Sequence, residues 1–349
     1  MARTSAVIDA DGHILERQID AQKYLEPPFD KRKTRFFQDS HPWDTEIFGT
    51  LTNTEYKDAG LSPEEQVATW LKIADRENFE TAVLFPTGSG HVAYIPEPDW
   101  AVAVSRAINT HLAKDYGGTS ERLRPVGVLP MRNPEAAAQE LRRAVTELGL
   151  ISFEVLSAGL PFGLGDPFYD PIYAEAERLG TPICIHGTRS GLGEVGGDKF
   201  KTFAEVHSYV FPASVILHFT SVMCNGVLER FPNLKMAFLE IGATWLPYYL
   251  DRLDEHWELR GDVEMPYVTK KPTDVFREHE VYVSVEPEET FLSPMIDHLG
   301  ADSFLFASDV PHWDARFPNN LEHLESRSDL GADVKQKILY GNSKRLFGL

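Results

Sequence analysis

Asp11 and His13 are the first residues in the chain whose types and spacing could do chemistry. They end the short apolar run Val7-Ile8-Asp9-Ala10-Asp11-Gly12-His13. Side chains alternate along an extended chain, so residues two apart project to the same side. A carboxylate oxygen and an imidazole nitrogen aimed at one point make half of a divalent metal site. The stretch by itself is equally compatible with an Asp11 that caps a turn and a His13 on the surface.

Four later apolar runs end in the same manner, on a polar residue that an apolar core would not choose. These residues are Glu154, His186, Glu240 and Asp309. If the runs are parallel strands of a barrel, their ends meet at the C-terminal rim, where barrel active sites are built. Buried carboxylates this close repel one another unless a cation compensates them. The alternative, most plausible for Glu154, is that each residue caps a helix or is solvated at the rim.

Eight β-branched or aromatic runs, most of them followed by a helical pattern, must position these residues. The runs lie at 7–11, 81–86, 124–130, 151–156, 182–187, 235–242, 281–286 and 303–309. Alternation at this pace predicts parallel strand–helix–strand units. Runs that are apolar on both faces are typical of strands buried between a core and helices. We therefore expect an α/β protein, a (β/α)8 TIM barrel, with a doubly wound open sheet as the alternative.

Two long segments, 14–61 and 188–234, interrupt the alternation after strands 1 and 5. Both leave the barrel at its active face and predict a roofed pocket for an organic substrate of more than a few atoms. The chain shows no internal repeat, low-complexity tract or linker, so we expect one domain over 1–349. Helix starts are also predicted, with a capping box at Ser62 and Glu65 and a capped first-turn proline at Asn133-Pro134.

The composition excludes some classes of partner. The formal net charge of -19 argues against nucleic acid and anionic membranes, since both repel an acidic surface. The two cysteines, Cys184 and Cys224, suggest neither a disulfide framework nor a thiolate zinc site. The start of the chain does not resemble a signal peptide, and no apolar run approaches the ~20 residues of a spanning helix. We therefore expect a cytoplasmic protein with a small-molecule substrate.

Several motifs together resemble the amidohydrolase-related family. This family is the branch of the amidohydrolase superfamily that includes aminocarboxymuconate semialdehyde decarboxylase-like enzymes. The motifs are Asp11-Gly12-His13, Cys184-Ile185-His186-Gly187, the segments 226–234 and 245–254, Ser308-Asp309-Val310-Pro311-His312-Trp313 and the closing segment 340–347. As a set they indicate the family and not one substrate.

The resemblance implies a metal-dependent barrel enzyme, with a homodimer as the expected assembly. The family's strand-one pair, usually His-x-His or Glu-x-His, falls here on Asp11 and His13. The strand-five histidine ligand corresponds to His186, and the strand-eight aspartate to Asp309. The strand-six histidine is missing, because the chain reads Leu239-Glu240-Ile241-Gly242 there. Either Glu240 replaces it, or His218 reaches in from the preceding segment.

With one divalent metal ion, this set predicts a hydrolase or a nonoxidative decarboxylase. The substrate would be a small to medium organic molecule with a carboxylate or carbonyl group. The cation would activate water or hold the substrate carboxylate. Asp309 would take a proton from the attacking water, and His218 or Glu240 would be the general acid or base. Arg35 or Arg189 could hold a substrate carboxylate, and His312 is expected to orient its loop or bind a ligand.

With two ions the prediction is different. Carboxylate-rich sites suit iron or manganese at least as well as zinc. The alternative function is therefore a dinuclear non-heme iron oxygenase on an amidohydrolase-like barrel, and it depends on Glu154 pointing inward. Its ligands would be Asp11, Glu154, Glu240 and Asp309 with His13 and His186. A third possibility, a metal-free binding protein, conflicts with the intact set of ligand residues.

Overall fold

Strands and helices alternate along the chain in the computed structural model, which describes residues 6–32, 36, 61–188, 191 and 193–349. The strands are β1 (Val7–Ile14), β2 (Phe79–Pro86), β3 (Leu123–Pro125), β4 (Gly127–Val128), β5 (Phe153–Leu156), β6 (Ile183–His186), β7 (Met236–Phe238), β8 (Val281–Val285) and β9 (Phe304–Phe306). Every pairing between them is parallel.

The helices separate these strands. They are α1 (Gln18–Gln22), α2 (Pro63–Glu77), α3 (Pro98–His111), α4 (Pro134–Thr146), α5 (Asp170–Leu179), α6 (Phe203–Glu205), α7 (Phe211–Cys224), α8 (Val227–Arg230), α9 (Leu246–Glu264), α10 (Pro272–Glu278), α11 (Leu292–Leu299), α12 (Asn320–Ser326), α13 (Ala332–Gln336) and α14 (Asn342–Phe347). Local sequence explains where several begin. Ser62 and Glu65 form the predicted capping box of α2, and the Asn133 side chain accepts from Ala136 N at the start of α4.

The nine strands fill eight positions, because β3 and β4 are one barrel strand interrupted at Val126. The Val126 amide still donates to the carbonyl of Leu84 at 2.9 Å, while the Gly127 amide donates to the carbonyl of Ser152 at 2.9 Å. The chain therefore leaves β2 and joins β5 within two residues. The eight predicted strand runs correspond to these eight positions.

The strand order distinguishes the barrel from the open sheet. The strands follow one another in chain order, β1 to β3 and then β4 to β9, whereas a doubly wound sheet reverses its order at a switch point. Backbone bonds also join the end of the last strand to the first. The Asp309 amide donates to the Asp11 carbonyl at 2.8 Å, and the His13 amide donates to the Val310 carbonyl at 2.7 Å. The predicted (β/α)8 barrel is confirmed.

Two apolar cores explain why the strands are apolar on both faces. A smaller core fills the barrel interior, and it includes Ala10, Val83, Phe85, Val126, Cys184, Ala237, Leu239, Tyr282 and Leu305. A larger core lies between the strands and the surrounding helices, with Trp70, Val104, Leu141, Tyr173, Phe219 and Phe276 among its members. Burial of both faces leaves the strand ends as the place where polar side chains can gather.

The second long segment, 188–234, is mostly helical. Helix α6 continues through a π-helical turn at Val206–Val210 into α7. The resulting helix, Phe203–Cys224, is long and apolar enough to cross a membrane, contrary to the expectation that no such stretch exists, and half of an 18-residue window within it is buried inside the fold. It therefore has the properties of a core helix. Of the first segment, 14–61, the structure describes only residues up to 32 together with 36 and 61, so Arg35 lies outside the described residues, as does Arg189.

Candidate metal centre

The strand ends bring five of the predicted residues to one point. Asp11 and His13 come from β1, His186 ends β6, and Glu240 and Asp309 follow β7 and β9. His186 Nε2 lies 3.2 Å from both carboxylate oxygens of Asp11. His13 Nε2 lies 3.3 Å from Asp11 Oδ1 and 3.2 Å from Asp309 Oδ1. The side chains of Asp11, His13 and His186 are almost fully buried.

Glu240 stands after strand β7, where the family pattern has a histidine, and it contacts both His186 and His312. Its Oε2 lies 2.9 Å from His186 Nδ1, and its Oε1 lies 3.1 Å from Nδ1 of His312. Glu240 and Asp309 both have positive φ angles, 71° and 54°. Such backbone strain persists only where the surroundings enforce it, and it concentrates at functional sites.

His312 belongs to the cluster as well, although the sequence predicted only a loop-orienting or ligand-binding role. Its Nδ1 lies 2.7 Å from Asp309 Oδ1, and its ring centroid lies 3.9 Å from that of His13. The Thr87 hydroxyl lies 3.3 Å from His312 Nε2 and 3.4 Å from His13 Nδ1. The signal that could have revealed this position was the Ser-Asp-Val-Pro-His-Trp motif, which places His312 three residues after Asp309.

The donor atoms form two groups that share His13. One group is Asp11, His13 and His186; the other is His13, Glu240, Asp309 and His312, and within each group the donor atoms lie within 4.8 Å of one another. His13 Nε2 and Asp309 Oδ1 are buried, and beyond the close imidazole and carboxylate atoms of the cluster itself they have no well-oriented hydrogen bond among the described residues. Unpaired buried polar atoms are costly. A divalent cation would satisfy both, so the residues present fit a divalent metal ion.

Charges within the cluster are strongly coupled. Burial lowers the pKa of His186, but the carboxylates of Glu240 and Asp11 outweigh this and hold that pKa well above its usual value. Burial likewise lowers the pKa of His312, and Asp309 and Glu240 raise it well above normal. The metal-free cluster therefore carries protons on its imidazoles. Metal ligands must be deprotonated, so binding of a cation would displace such protons.

Asp9 supports the cluster from behind. Its carboxylate accepts from the Ser308 amide at 2.9 Å and from the Ser308 hydroxyl at 2.6 Å. Asn320 donates to the Ser308 carbonyl at 2.9 Å. Burial raises the pKa of Asp9 to about 7, against the lowering effect of the Ser308 bonds. These contacts hold the residue before Asp309 against β1 and so fix the position of the Asp309 backbone.

Glu154 lies in the same cavity but in neither donor group. Its side chain is on β5 and the residue is 3% exposed. Burial raises the pKa of Glu154 to about 8, although His186 and His13 lower it. The structure thus confirms that Glu154 points inward. Glu154 does not join the other donor residues in a group, so its predicted role as a metal ligand has no support from the geometry.

His218 is not brought to the cluster. It lies on α7, where its Nε2 donates to the Ser157 carbonyl at 3.1 Å and its Nδ1 accepts from the Leu164 amide at 3.3 Å. Burial lowers the pKa of His218 to about 4, so the ring is neutral. Both ring nitrogens hold the loop after β5, and the predicted role of His218 as general acid or base has no geometric support.

The cavity above the cluster has both polar and apolar walls. It is lined by His13, Thr87, His91, Glu154, Leu156, His186, Gly187, Thr188, His207, Phe211, Glu240, His312, Trp313 and Asp314. His207 also lines this cavity, and its Nε2 lies 3.2 Å from Asp314 Oδ2. The centroid of the His207 ring lies 5.3 Å from the ring centroids of both Phe211 and Trp313. Among the described residues, no lysine or arginine lines this cavity.

Solved structures share this fold. The chain superposes on an amidohydrolase from Mycobacterium avium subsp. paratuberculosis with a TM-score of 0.80 and 20% identity, covering 99% of this chain and 100% of that one. It also superposes on a dihydroxybenzoic acid decarboxylase from Polaromonas sp., solved with bound manganese and the inhibitor 2-nitroresorcinol. That TM-score is 0.70 at 22% identity, covering 99% and 98% of the two chains.

Curated relatives add the chemistry. A γ-resorcylate decarboxylase from Rhodococcus jostii is 30% identical over 252 residues, 69% of this chain and 76% of that protein. A 2-amino-3-carboxymuconate-6-semialdehyde decarboxylase from Dictyostelium discoideum is 28% identical over 257 residues, 73% and 69% of the two chains. The expectation of a metal-dependent hydrolase or nonoxidative decarboxylase is confirmed. The amidohydrolase family model matches residues 8–349, and the chain therefore belongs to the amidohydrolase family.

Proposed function

We propose that this chain is a nonoxidative decarboxylase that acts on a small aromatic carboxylate. The observation that carries the proposal is the cluster of three carboxylates and three imidazoles at the barrel mouth, in which His13 Nε2 and Asp309 Oδ1 make no well-oriented hydrogen bond among the described residues. The cavity above it has aromatic walls in Phe211 and Trp313. Support for the reaction comes from relatives that are decarboxylases by name.

For one cation we assign four ligands, Asp11, His13, His186 and Asp309. His186 directs Nε2 toward Asp11 and Nδ1 toward Glu240. Metal-binding histidines usually donate their other ring N–H to a carboxylate, which fixes the tautomer and orientation of the ring. Glu240 therefore orients His186. When bound, the cation would hold the substrate carboxylate and withdraw charge from it.

Glu240 and His312 supply the proton chemistry in this proposal. His312 Nδ1 lies between Glu240 Oε1 at 3.1 Å and Asp309 Oδ1 at 2.7 Å, and its ring faces the cavity. Decarboxylation breaks the bond between the ring carbon and the carboxylate, and the electron pair stays on the ring carbon. His312 gives that carbon its proton, carbon dioxide leaves, and water returns the proton to His312. Leu156, Phe211 and Trp313 line the same cavity and would pack against a bound aromatic ring.

The test is an assay of the manganese-loaded enzyme with 2,6-dihydroxybenzoate and 5-carboxyvanillate, with and without oxygen. We expect carbon dioxide and the decarboxylated arene to form in equal amounts. The reaction rate should be the same with and without oxygen. Asp309→Asn removes a proposed metal ligand that also lies beside the proton donor His312. The substitution should therefore lower kcat/KM at least ~10²-fold. The exposed His323→Ala serves as the control and should leave kcat/KM unchanged. Hydrolysis of esters or amides without carbon dioxide release would contradict the proposal.

A second candidate, the dinuclear iron oxygenase, is favoured by one observation. The two donor groups share His13, and each contains at least three potential ligands. Such an arrangement could hold two neighbouring ions. Elemental analysis of protein purified without added metal separates the candidates, since two irons per chain with oxygen consumption would favour the oxygenase. One manganese or zinc per chain would favour the decarboxylase.

We also infer a reducing compartment, such as the cytoplasm. Cys184 and Cys224 are both free thiols, one buried and one partly buried, and free thiols persist where the surroundings are reducing. A homodimer stays a prediction that rests on the family resemblance. Size-exclusion chromatography with light scattering tests it, and a monomer at micromolar concentration would contradict it.

A further inference from the structure

One carboxyl group in the cavity is not used by the metal ligands or by the proton-donating pair. The Glu154 side chain lines the cavity together with His13, His186 and His312. Its Oε2 is buried and has no hydrogen-bond partner among the described residues. An unpartnered buried oxygen in the wall of a pocket indicates a group that is satisfied by what enters the pocket.

The backbone next to Glu154 is arranged so that no side chain covers Oε2. Gly90 lies in a single 3-10 turn, Ser89–Tyr94, beside the carboxyl group. A Cβ atom at position 90 would lie 2.8 Å from Glu154 Oε2 and 2.6 Å from Leu156 Cγ, which is too close for either contact. Glu16 holds the turn in place, since its Oε1 accepts from the amides of Gly88 and Ser89. The close approach therefore requires glycine at position 90.

The surroundings of Glu154 favour the neutral acid. No described lysine or arginine lines the cavity, and burial of an unpaired carboxylate anion is unfavourable. Asp11 and Glu16 add negative charge nearby, and His186 and His13 oppose it. Burial is the dominant effect and raises the pKa of Glu154 to about 8. In its neutral form the group can donate a hydrogen bond to a ligand in the cavity.

We propose that Glu154 binds the substrate and not the metal, donating its carboxyl hydrogen to an acceptor oxygen of the bound molecule. This inference rests on the proposed decarboxylase function, and it makes Glu154 a specificity-determining residue. The class of ligand follows from the chemistry of the donor. A carboxylate, carbonyl or phenolate oxygen accepts the bond, whereas an ammonium group at this position does not.

Two variants of similar size separate the roles. Glu154→Gln keeps a hydrogen-bond donor at this position, whereas Glu154→Leu removes it. With the manganese-loaded enzyme and 2,6-dihydroxybenzoate, we expect kcat/KM of Glu154→Gln within about fivefold of wild type. Glu154→Leu should lose ~10- to 100-fold, the usual range for a hydrogen bond to a charged group. Manganese content should be equal in all three proteins.

The pH profile gives a second readout. As pH rises, the wild-type carboxyl group loses its hydrogen and kcat/KM should fall. Glu154→Gln cannot ionise, so this alkaline decline should be absent from its profile. An identical decline in both proteins would overturn the proposal, and so would equal activity losses in the two variants.

Infrared difference spectra of the manganese-loaded proteins at neutral pH test the inference without turnover. Subtraction of Glu154→Gln from wild type should leave the carbonyl band of a protonated carboxylic acid. A carboxylate band in its place, or a loss of manganese in either variant, would overturn the proposal and favour a metal-bound Glu154. If the wild type releases no carbon dioxide, the proposed function fails by itself, and the infrared and manganese measurements still decide the role of Glu154.

Discussion

The carboxylate side chains at this end of the barrel have different roles because the atoms that they contact differ. Asp11 and Asp309 both lie close to Nε2 of His13, and we propose that they bind a cation. Asp9 is turned to the Ser308 amide and hydroxyl and holds the backbone. Glu154 Oε2 meets no donor among the described residues. The residue type therefore indicates the available chemistry, and the partner atoms assign the role.

His312→Asn tests the role proposed for a residue that the sequence predicted to orient its loop or bind a ligand. The substitution removes the ionisable imidazole, while the asparagine amide can still place a nitrogen where Nδ1 lies beside Glu240 and Asp309. We expect kcat to fall at least ~10²-fold, as is typical when a general acid is lost, with KM and the content of one metal ion per chain unchanged. Kinetics and elemental analysis measure this, with His323→Ala as control. A protein that loses metal would show that His312 is a ligand.

The element that matters most is β1, because it carries three of the carboxyl and imidazole groups. Its register with β2 shifts between Asp9 and Gly12, and Gly12 packs so closely on Trp70 that a Cβ atom would lie 2.3 Å from that ring. Trp70 in turn donates from its indole nitrogen to the His13 carbonyl at 2.9 Å. Helix α2 therefore positions the end of β1 directly, through one tryptophan.

Helices α4 and α5 are joined by an ion-pair network that predicts an acid-sensitive contribution to stability. Glu175 accepts from Arg178 at 2.6 Å and from Arg142 at 2.8 Å. These two arginines lower the pKa of Glu175 to about 2 from its ordinary value of 4.5. A lowered pKa means that the stabilisation is complete above the unfolded-state value near 4.5 and is lost as pH falls toward 2.

Glu175→Gln should therefore lower the free energy of unfolding at pH 7 but not at pH 2. Both arginines are more than half exposed, so solvent screening reduces the expected difference to on the order of 1 kcal/mol. Denaturant unfolding of both proteins across this pH range measures it. The exposed Glu135→Gln on α4 is the matched control, and an equal effect of Glu175→Gln at both pH values would contradict the assignment.

At the scale of the whole molecule, the barrel gathers its buried acids at one end of an already acidic chain. The formal net charge is -19, and the strand ends add a cluster of carboxylates and imidazoles that is almost fully buried around His13. A ligand that binds the native state alone stabilises it by mass action. Metal binding and folding stability should therefore be linked.

That residues 1–349 form one domain stays a prediction.

Manganese should raise the unfolding temperature of the chelator-treated protein. At a free concentration of about 100 times Kd, mass action stabilises the native state by about 2.7 kcal/mol, which corresponds to several degrees. Asp11→Asn should abolish most of this shift, because it removes a ligand. Asp262→Asn, an exposed change on α9, should retain it. Identical melting curves with and without manganese would contradict a metal centre at this site.

The sequence by itself determined the barrel and most of the metal centre. Strand periodicity and helix-start signals are local, so the eight strand positions and the capping box at Ser62 could be predicted from short stretches. The residues that end those strands could be predicted for the same reason, because parallel strands of a barrel place all their C-terminal ends at one rim. This is why Asp11, His13, His186 and Asp309 lie together as expected.

Only the tertiary structure decided which of the remaining groups belong to the site. His218 lies on α7 with both ring nitrogens bonded to backbone atoms, and His312 turns into the cluster from a loop. Glu154 points into the cavity but stays apart from the donor groups. These outcomes depend on side-chain direction and on partners distant in sequence. Periodicity carries no information about either, because hydrogen-bond partners are chosen only when the elements pack.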